Sequence, residues 1–267
     1  MMHYVEMIKM AYRITPNYFA PKLMNLSEND PSYKKVHSIS YNKCNFKCKF
    51  CEFYFRNQEL YNEYSDDEFN SIVDELLKKG KCFKFTGGEA TINPKLYSHI
   101  KLIKEKGGKI FLDTNGSNNI IIKKLLDDEL IDVLGVSLKG LTEEEALLWS
   151  GTMNSKICWN NVLKTIDEAS KHDKVTVIVT TVFKNKNDYN YLLKFSDILS
   201  KYQNVYLKIN NLIGELHHSN EKMEKVNSTK LNRWIEKLII EKPNWKNKII
   251  YIDNFEGVSS YNNIKFY

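Results

Sequence analysis

Three cysteines fall within eight positions of this sequence, in the run Tyr41-Asn42-Lys43-Cys44-Asn45-Phe46-Lys47-Cys48-Lys49-Phe50-Cys51. Soft thiolates at close, unequal spacing suit an iron–sulfur cluster. A loop can curl three sulfurs around one group, which a rigid strand cannot. A structural zinc site takes four ligands, and no nearby His or Cys completes such a set here. The competing readings are three cysteines with no metal, or a zinc site that borrows a distant histidine. Cys82 and Cys158 stand singly on or beside predicted strand and helix, and read as small buried hydrophobes.

Three further segments have chemical potential. In Phe85-Thr86-Gly87-Gly88-Glu89-Ala90 the paired glycines permit unusual dihedrals and let main-chain N–H groups approach a ligand closely. Leu112-Asp113-Thr114-Asn115-Gly116 and Val136-Ser137-Leu138-Lys139-Gly140 each combine a polar side chain with a turn-forming glycine. Taken singly, each of the three is an ordinary turn.

The elements that must hold these segments follow from hydrophobic period. Strands are predicted at 36–40, 81–86, 109–113, 133–138, 175–182 and 205–209, with a small terminal strand at 249–252. Helices are predicted at 66–79, 95–106, 120–128, 159–171, 194–200 and 231–240, and another is headed by Thr142, which has Glu145 at capping-box spacing. Residues 1–35 carry Pro16, Pro21 and Pro31 without a clear period and read as an irregular extension. Alternating strands and helices imply a parallel α/β sheet, whose ligands bind beyond the carboxyl ends of the strands. Each of the four motifs falls just after a predicted strand.

Composition limits the remaining classes. At 267 residues and 42% hydrophobic content the chain can bury a sizeable core as one domain. The net charge of +6 comes from lysines scattered over helices, which is a weak footprint for nucleic acid. No apolar run is long enough to span a membrane, residues 1–10 do not read as a signal peptide, and the cysteine pattern fits a reducing cytoplasm better than a disulfide scaffold.

The spacing Cys44-x3-Cys48-x-Phe50-Cys51 directly after the first core strand resembles the signature of the radical S-adenosylmethionine (SAM) superfamily. The resemblance implies a partial (β/α)6 barrel with a parallel sheet over residues 36–214, with short N- and C-terminal extensions at 1–35 and 215–267. It implies that Cys44, Cys48 and Cys51 each bind one iron of a [4Fe-4S] cluster, while the open iron chelates SAM. Phe50 would pack near the adenine, and Gly87, Gly88 and Glu89 would meet the methionine amino group. Asp113-Thr114-Asn115-Gly116 and Ser137-Leu138-Lys139 are similar to the matching motifs of pyruvate formate-lyase activating enzyme and its relatives. Asp113 and Asn115 would then line the site, and Ser137 and Lys139 would approach SAM. Ser137 stands where those relatives carry an aspartate that helps bind a monovalent cation, and a neutral hydroxyl is a poorer cation ligand. By analogy His217 or His218 could take the place of a histidine after the sixth strand; the competing and favoured reading is two exposed loop histidines.

The implied activity is reductive cleavage of SAM to a 5′-deoxyadenosyl radical, used to install a glycyl radical on a partner enzyme. A flavodoxin- or ferredoxin-type protein would supply the electron. A second reading is direct modification of a peptide or small metabolite. A third is a non-catalytic iron–sulfur or RNA-binding protein, with Phe53, Tyr54, Phe55 and Arg56 as a base-stacking stretch. The extension or the 53–63 loop would cover the radical.

Overall fold

Among the described residues seven parallel strands form the core, and each of the four motifs sits at the end of one. The computed structural model describes residues 8–16, 20–26, 29–31, 35–51, 61–184, 187–211, 224–252 and 264–267. The parallel strands are β2 (Lys35–Tyr41), β4 (Cys82–Gly87), β5 (Lys109–Thr114), β6 (Val133–Ser137), β7 (Thr176–Phe183), β8 (Val205–Asn211) and β9 (Ile249–Ile252), hydrogen-bonded in that sequence. Antiparallel strands border the arc. β1 (Ile8–Pro16) pairs with β2, β3 (Asn62–Tyr64) pairs with β1, and β10 (Ile264–Phe266) pairs with β9.

Alternation along the strands splits the core in two. Ile39, Phe85, Leu112, Val136, Val179 and Ile209 face outward into the large cluster shared with the helices. Val36, Cys82, Phe111, Val133, Ile178 and Ile250 face inward and meet each other in a second cluster. Residues from both ends of the parallel arc share this inner cluster, so the sheet is rolled into a partial barrel with an apolar floor.

The outer layer holds α2 (Asp66–Leu77), α3 (Leu96–Glu105), α4 (Asn119–Asp127), α6 (Asn161–Ala169), α7 (Tyr189–Leu199) and α8 (Ser228–Glu241), each burying one apolar face. A short helix, α1 (Ala20–Leu23), precedes the barrel, and α5 (Glu143–Ser150) leads into a π-helical turn at Lys156–Asn160. The reciprocal capping box is at the start of α2, between Ser65 and Glu68. At Thr142 only half of the expected box forms. Its hydroxyl accepts from the Glu145 N–H, but the Glu145 carboxylate accepts from the Leu141 N–H at 2.7 Å.

Three expectations need correction. The extension at 1–35 is not wholly irregular, because β1 lies within it and lengthens the sheet. α7 begins five residues before the predicted start, where the Asp188 side chain accepts from the Tyr191 N–H at 2.9 Å. The terminal strand 249–252 joins the arc as a seventh parallel member. His217, His218, the Phe53–Arg56 stretch and most of the 53–63 loop lie outside the described residues.

One buried histidine ties the outer layer to the site. His99 of α3 stacks on Phe69 of α2 at 3.7 Å, and its Nδ1 lies 2.8 Å from the hydroxyl of Tyr41, the last residue of β2. Burial lowers its pKa from 6.5 to about 4, against a weaker opposing pull from Asp66. A depressed pKa means that the unfolded chain takes up this proton first as the pH falls. Stability is therefore expected to drop by about 3 kcal/mol between pH 6.5 and 4. Denaturant titrations should register that drop, and in His99→Gln it should be smaller by about that amount, with the buried His37 still contributing in the same direction.

Candidate active site

Each motif reaches the site through main-chain geometry. β2 ends at Tyr41 and the chain turns into the cysteine loop, whose backbone is tethered on two sides. Gly88 N–H donates to Tyr41 O at 2.9 Å and Glu89 N–H to Lys43 O at 2.7 Å. On the other side Lys47 N–H donates to Ser150 O at 2.9 Å and Lys49 N–H to Trp149 O at 3.2 Å, both at the end of α5. Gly88 approaches so closely that a Cβ there would stand 2.1 Å from Lys43 O and 3.0 Å from the Cys44 Cβ. The glycine motif therefore commits these two N–H groups to the cysteine loop. Those two N–H groups are thus taken up within the chain, while Gly87, Gly88 and Glu89 all line the cavity described below.

Side chains add a third tether. Asn115, in the turn after β5, donates from Nδ2 to Asn45 Oδ1 at 2.9 Å, and Asn45 Nδ2 donates to Ser117 Oγ at 2.9 Å. Glu89 locks the same turn to the end of β4. Its Oε1 accepts from Thr91 N (3.0 Å), Thr91 Oγ1 (2.5 Å) and Thr114 Oγ1 (2.6 Å), and its Oε2 from Asn115 N (2.6 Å). Burial pushes the Glu89 pKa up, while these donors pull against that shift.

The result is a cavity of about 230 Å³ over the carboxyl ends of the parallel strands. All eleven residues singled out in the sequence line it: Cys44, Cys48, Cys51, Phe50, Gly87, Gly88, Glu89, Asp113, Asn115, Ser137 and Lys139. Sequence reasoning misses Thr180 and Val182 from β7, which complete the far wall with Asn210 and Asn211 from β8. Only their position near a strand end could signal them.

The donor set suits a cluster held by three thiolates. Phe46 N–H points at Cys44 Sγ from 3.4 Å. Cys82 contacts Met24 Sδ in the inner core, and Cys158 is buried beneath α5, so neither joins the three. Among the described residues, no three His, Cys, Asp or Glu side chains converge as ligands of a single ion would. Burial pushes the Cys44 thiol up to about 12, with the charges of Glu89 and Cys48 adding to the rise while Phe46 N–H and Lys139 oppose it. The Cys48 thiol is raised in the same way. Bound iron would supply the positive charge that Cys44 and Cys48 need to ionise.

Below the cavity the barrel interior turns polar. Asp113 Oδ2 lies 3.1 Å from Lys84 Nζ, and Gly135 leaves room for the other carboxylate oxygen. Burial would raise the Asp113 pKa, but Lys84, Lys208 and Lys139 together outweigh it, so the carboxylate is held below its usual range. Replacing Asp113 by Asn removes the counter-charge 3.1 Å from the buried Lys84 ammonium, and a loss of about 3 kcal/mol in stability is expected at pH 7. Because the folded pKa is the lower one, the gap between wild type and Asp113→Asn should close as the pH falls through that lowered value. Urea unfolding at neutral pH and again at acid pH tests both points. Among the described residues, Ser40 Oγ and Asn210 Oδ1 are buried without a hydrogen-bond partner, and Asn210 lines the cavity.

The family profile described as "Radical SAM superfamily" matches residues 38–195 of this chain. A candidate glycyl-radical enzyme activating enzyme of Methanocaldococcus jannaschii is 28% identical over 186 residues, covering 66% of this chain and 69% of that protein. An S-adenosylmethionine-dependent nucleotide dehydratase of Selenomonas ruminantium is 25% identical over 151 residues, covering 55% of this chain and 50% of that one. Among solved structures, Streptococcus suis SuiB bound to S-adenosylmethionine aligns with a TM-score of 0.62 at 17% identity, over 79% of this chain and 48% of SuiB. The matches to the last two proteins thus span about half their length.

Proposed function

The chain belongs to the radical SAM superfamily, and from that premise we propose that it installs a glycyl radical on a partner protein. The superfamily's [4Fe-4S] cluster and SAM are its cofactors. The observation that carries the site is the convergence of Cys44, Cys48 and Cys51 with Gly87-Gly88-Glu89 on one cavity at the strand ends. When bound, the cluster supplies the electron that cleaves SAM to methionine and a 5′-deoxyadenosyl radical.

The chain's own residues bind, orient and exclude water. Cys44, Cys48 and Cys51 hold the iron. Lys139 offers three N–H donors to the SAM carboxylate or ribose. Phe50, which lines the cavity with Trp149 behind it at 5.9 Å, presents a flat apolar face to the adenine. Asn115 and Glu89 keep the cysteine loop and the turn after β5 in register, and the ionised Asp113 marks the path from the cavity into the barrel. The likeness to the M. jannaschii protein supports the glycyl-radical reading, as does the Asp113–Gly116 motif.

The unpartnered Ser40 Oγ and Asn210 Oδ1 favour a second reading, direct action on a small polar substrate inside the barrel. Anaerobic incubation of the iron-loaded protein with reductant and SAM decides between them. Deoxyadenosine release tests the superfamily chemistry, and a glycine-centred EPR signal on an added partner protein tests the first reading. Cys48→Ala should lose iron and reduce deoxyadenosine to background. Full turnover in that variant would sink the cluster assignment.

A further inference from the structure

Lys184, the residue after β7, is 2% exposed although it carries an ammonium group. Burying a charge is costly, and a hydrophobic side chain of similar shape would stabilise the fold better. Its surroundings show what the charge does. Nζ lies 3.6 Å from the centroid of the Trp149 ring, within cation–π range, and 3.9 Å from Glu145 Oε1. Glu145 is itself fixed, accepting from the Tyr191 hydroxyl at 2.6 Å and from Leu141 N–H at 2.7 Å. Burial draws the Lys184 pKa down to about 8 and Glu145 draws it back, so the ammonium form prevails at neutral pH.

Trp149 is the link to the site. One face of its ring is covered by Lys184, the ring packs with Phe50 and Val182, and its carbonyl accepts from Lys49 N–H. The charge therefore bears on the cysteine loop through a single rigid side chain. Nothing in the proposed chemistry uses Lys184 directly, since it is absent from the residues that line the cavity.

We propose that Lys184 is a positioning residue for the cysteine loop, acting through Trp149 to fix Phe50 at the cavity wall. This deepens the proposed function and rests on Phe50 meeting the SAM adenine. Lys184 anchored between Trp149 and Glu145 holds the ring at one angle, and the ring holds the loop segment 47–51.

Two measurements on Lys184→Met and Lys184→Arg test it, with Lys174→Met as a control at an exposed lysine paired to Glu129. In the iron-free protein, hydrogen exchange at the Lys47 and Lys49 amides should quicken about tenfold in Lys184→Met. In the iron-loaded protein, SAM should bind about tenfold more weakly at unchanged iron content. Lys184→Arg should restore both to within about twofold, because it keeps the cation over the ring. Unchanged exchange and SAM affinity in Lys184→Met would overturn the proposal. If Lys184→Met does not fold, the same two measurements pass to Trp149→Phe, which keeps an aromatic but weakens the cation contact. Unchanged values there would overturn the proposal equally. Should wild type take up no iron, the site reading fails, while the exchange result still decides whether Lys184 braces the loop.

Discussion

Gly88→Ala is expected to fold and yet to lose its iron. The added Cβ would lie 2.1 Å from Lys43 O, and Lys43 is the residue just before the first cysteine. Real Cβ atoms do not approach a carbonyl oxygen that closely, so the loop must move. It cannot move without stretching the Gly88 and Glu89 N–H bonds to Tyr41 and Lys43. Neither Gly88 nor Lys43 belongs to the inner or the outer core, and those cores keep the sheet intact. A displacement of about 1 Å at the cysteines should lower deoxyadenosine formation about 100-fold, with iron per chain falling well below wild type. Gly107→Ala is the matched control, since φ is +84° there but nothing lies within 4 Å of the added atom. It should cost about 1 kcal/mol and leave iron content unchanged. Wild-type iron stoichiometry in Gly88→Ala would show that the loop does not depend on this approach.

Glu89→Gln is expected to destabilise the protein although it changes one atom. Four donors point at the carboxylate, at 2.5 to 3.0 Å, on a residue that is 1% exposed. With the amide oxygen in the Oε1 position three donors keep an acceptor but the NH2 group faces the Asn115 N–H, donor against donor; turned over, the NH2 group faces the Thr91 N–H and the two hydroxyls instead. Hydrogen bonds to a charged group contribute about 1.5–3 kcal/mol each, so a net loss of about 3 kcal/mol is reasonable after relaxation. For a chain of this size that is a fall of roughly 8 °C in Tm. The loss should be accompanied by faster exchange at the Asn115 amide. Equal Tm values for Glu89→Gln and wild type would reassign Glu89 from a latch to a group that acts on a ligand alone.

The parallel core is legible in the sequence because its strands are bounded on both sides by strong signals. Val175–Val182 and Val133–Leu138 are β-branched or apolar runs ended by turns or helix starts, and the motifs fall just beyond such ends. β1 is less legible. Ile8, Met10, Tyr12 and Ile14 alternate correctly, yet Pro16 and the prolines that follow make the whole segment read as irregular. β3 pairs only with Ile8–Met10 of β1, so among the described strands the Pro16 end has an open side, where a proline is tolerated. The start of α7 is hidden because Asn187-Asp188 reads as loop until Asp188 is seen to cap Tyr191.

At the site, the residue types are visible in the sequence but their work is not. Gly-Gly-Glu reads as facing a ligand, and it lines the cavity, but the Gly88 and Glu89 N–H groups and the Glu89 carboxylate also bind other parts of the chain. That distinction depends on which backbone atoms lie across the turn, and a local motif does not carry it. Lys184 gives no signal at all, because a lysine after a strand normally reads as solvated.

The three tethers on the cysteine loop also bear on how the holoprotein comes into being. Zinc fingers gain their fold from the ion, so chelation unravels them. Here the loop is anchored to the end of β4, to the turn after β5 and to the end of α5 by contacts that involve no iron. Polypeptide folding should therefore precede metal delivery, and the iron donor meets a receptacle whose ordering is already complete. Chelator-treated protein should keep a cooperative melting transition, and reloading should follow simple bimolecular kinetics without a slow refolding phase.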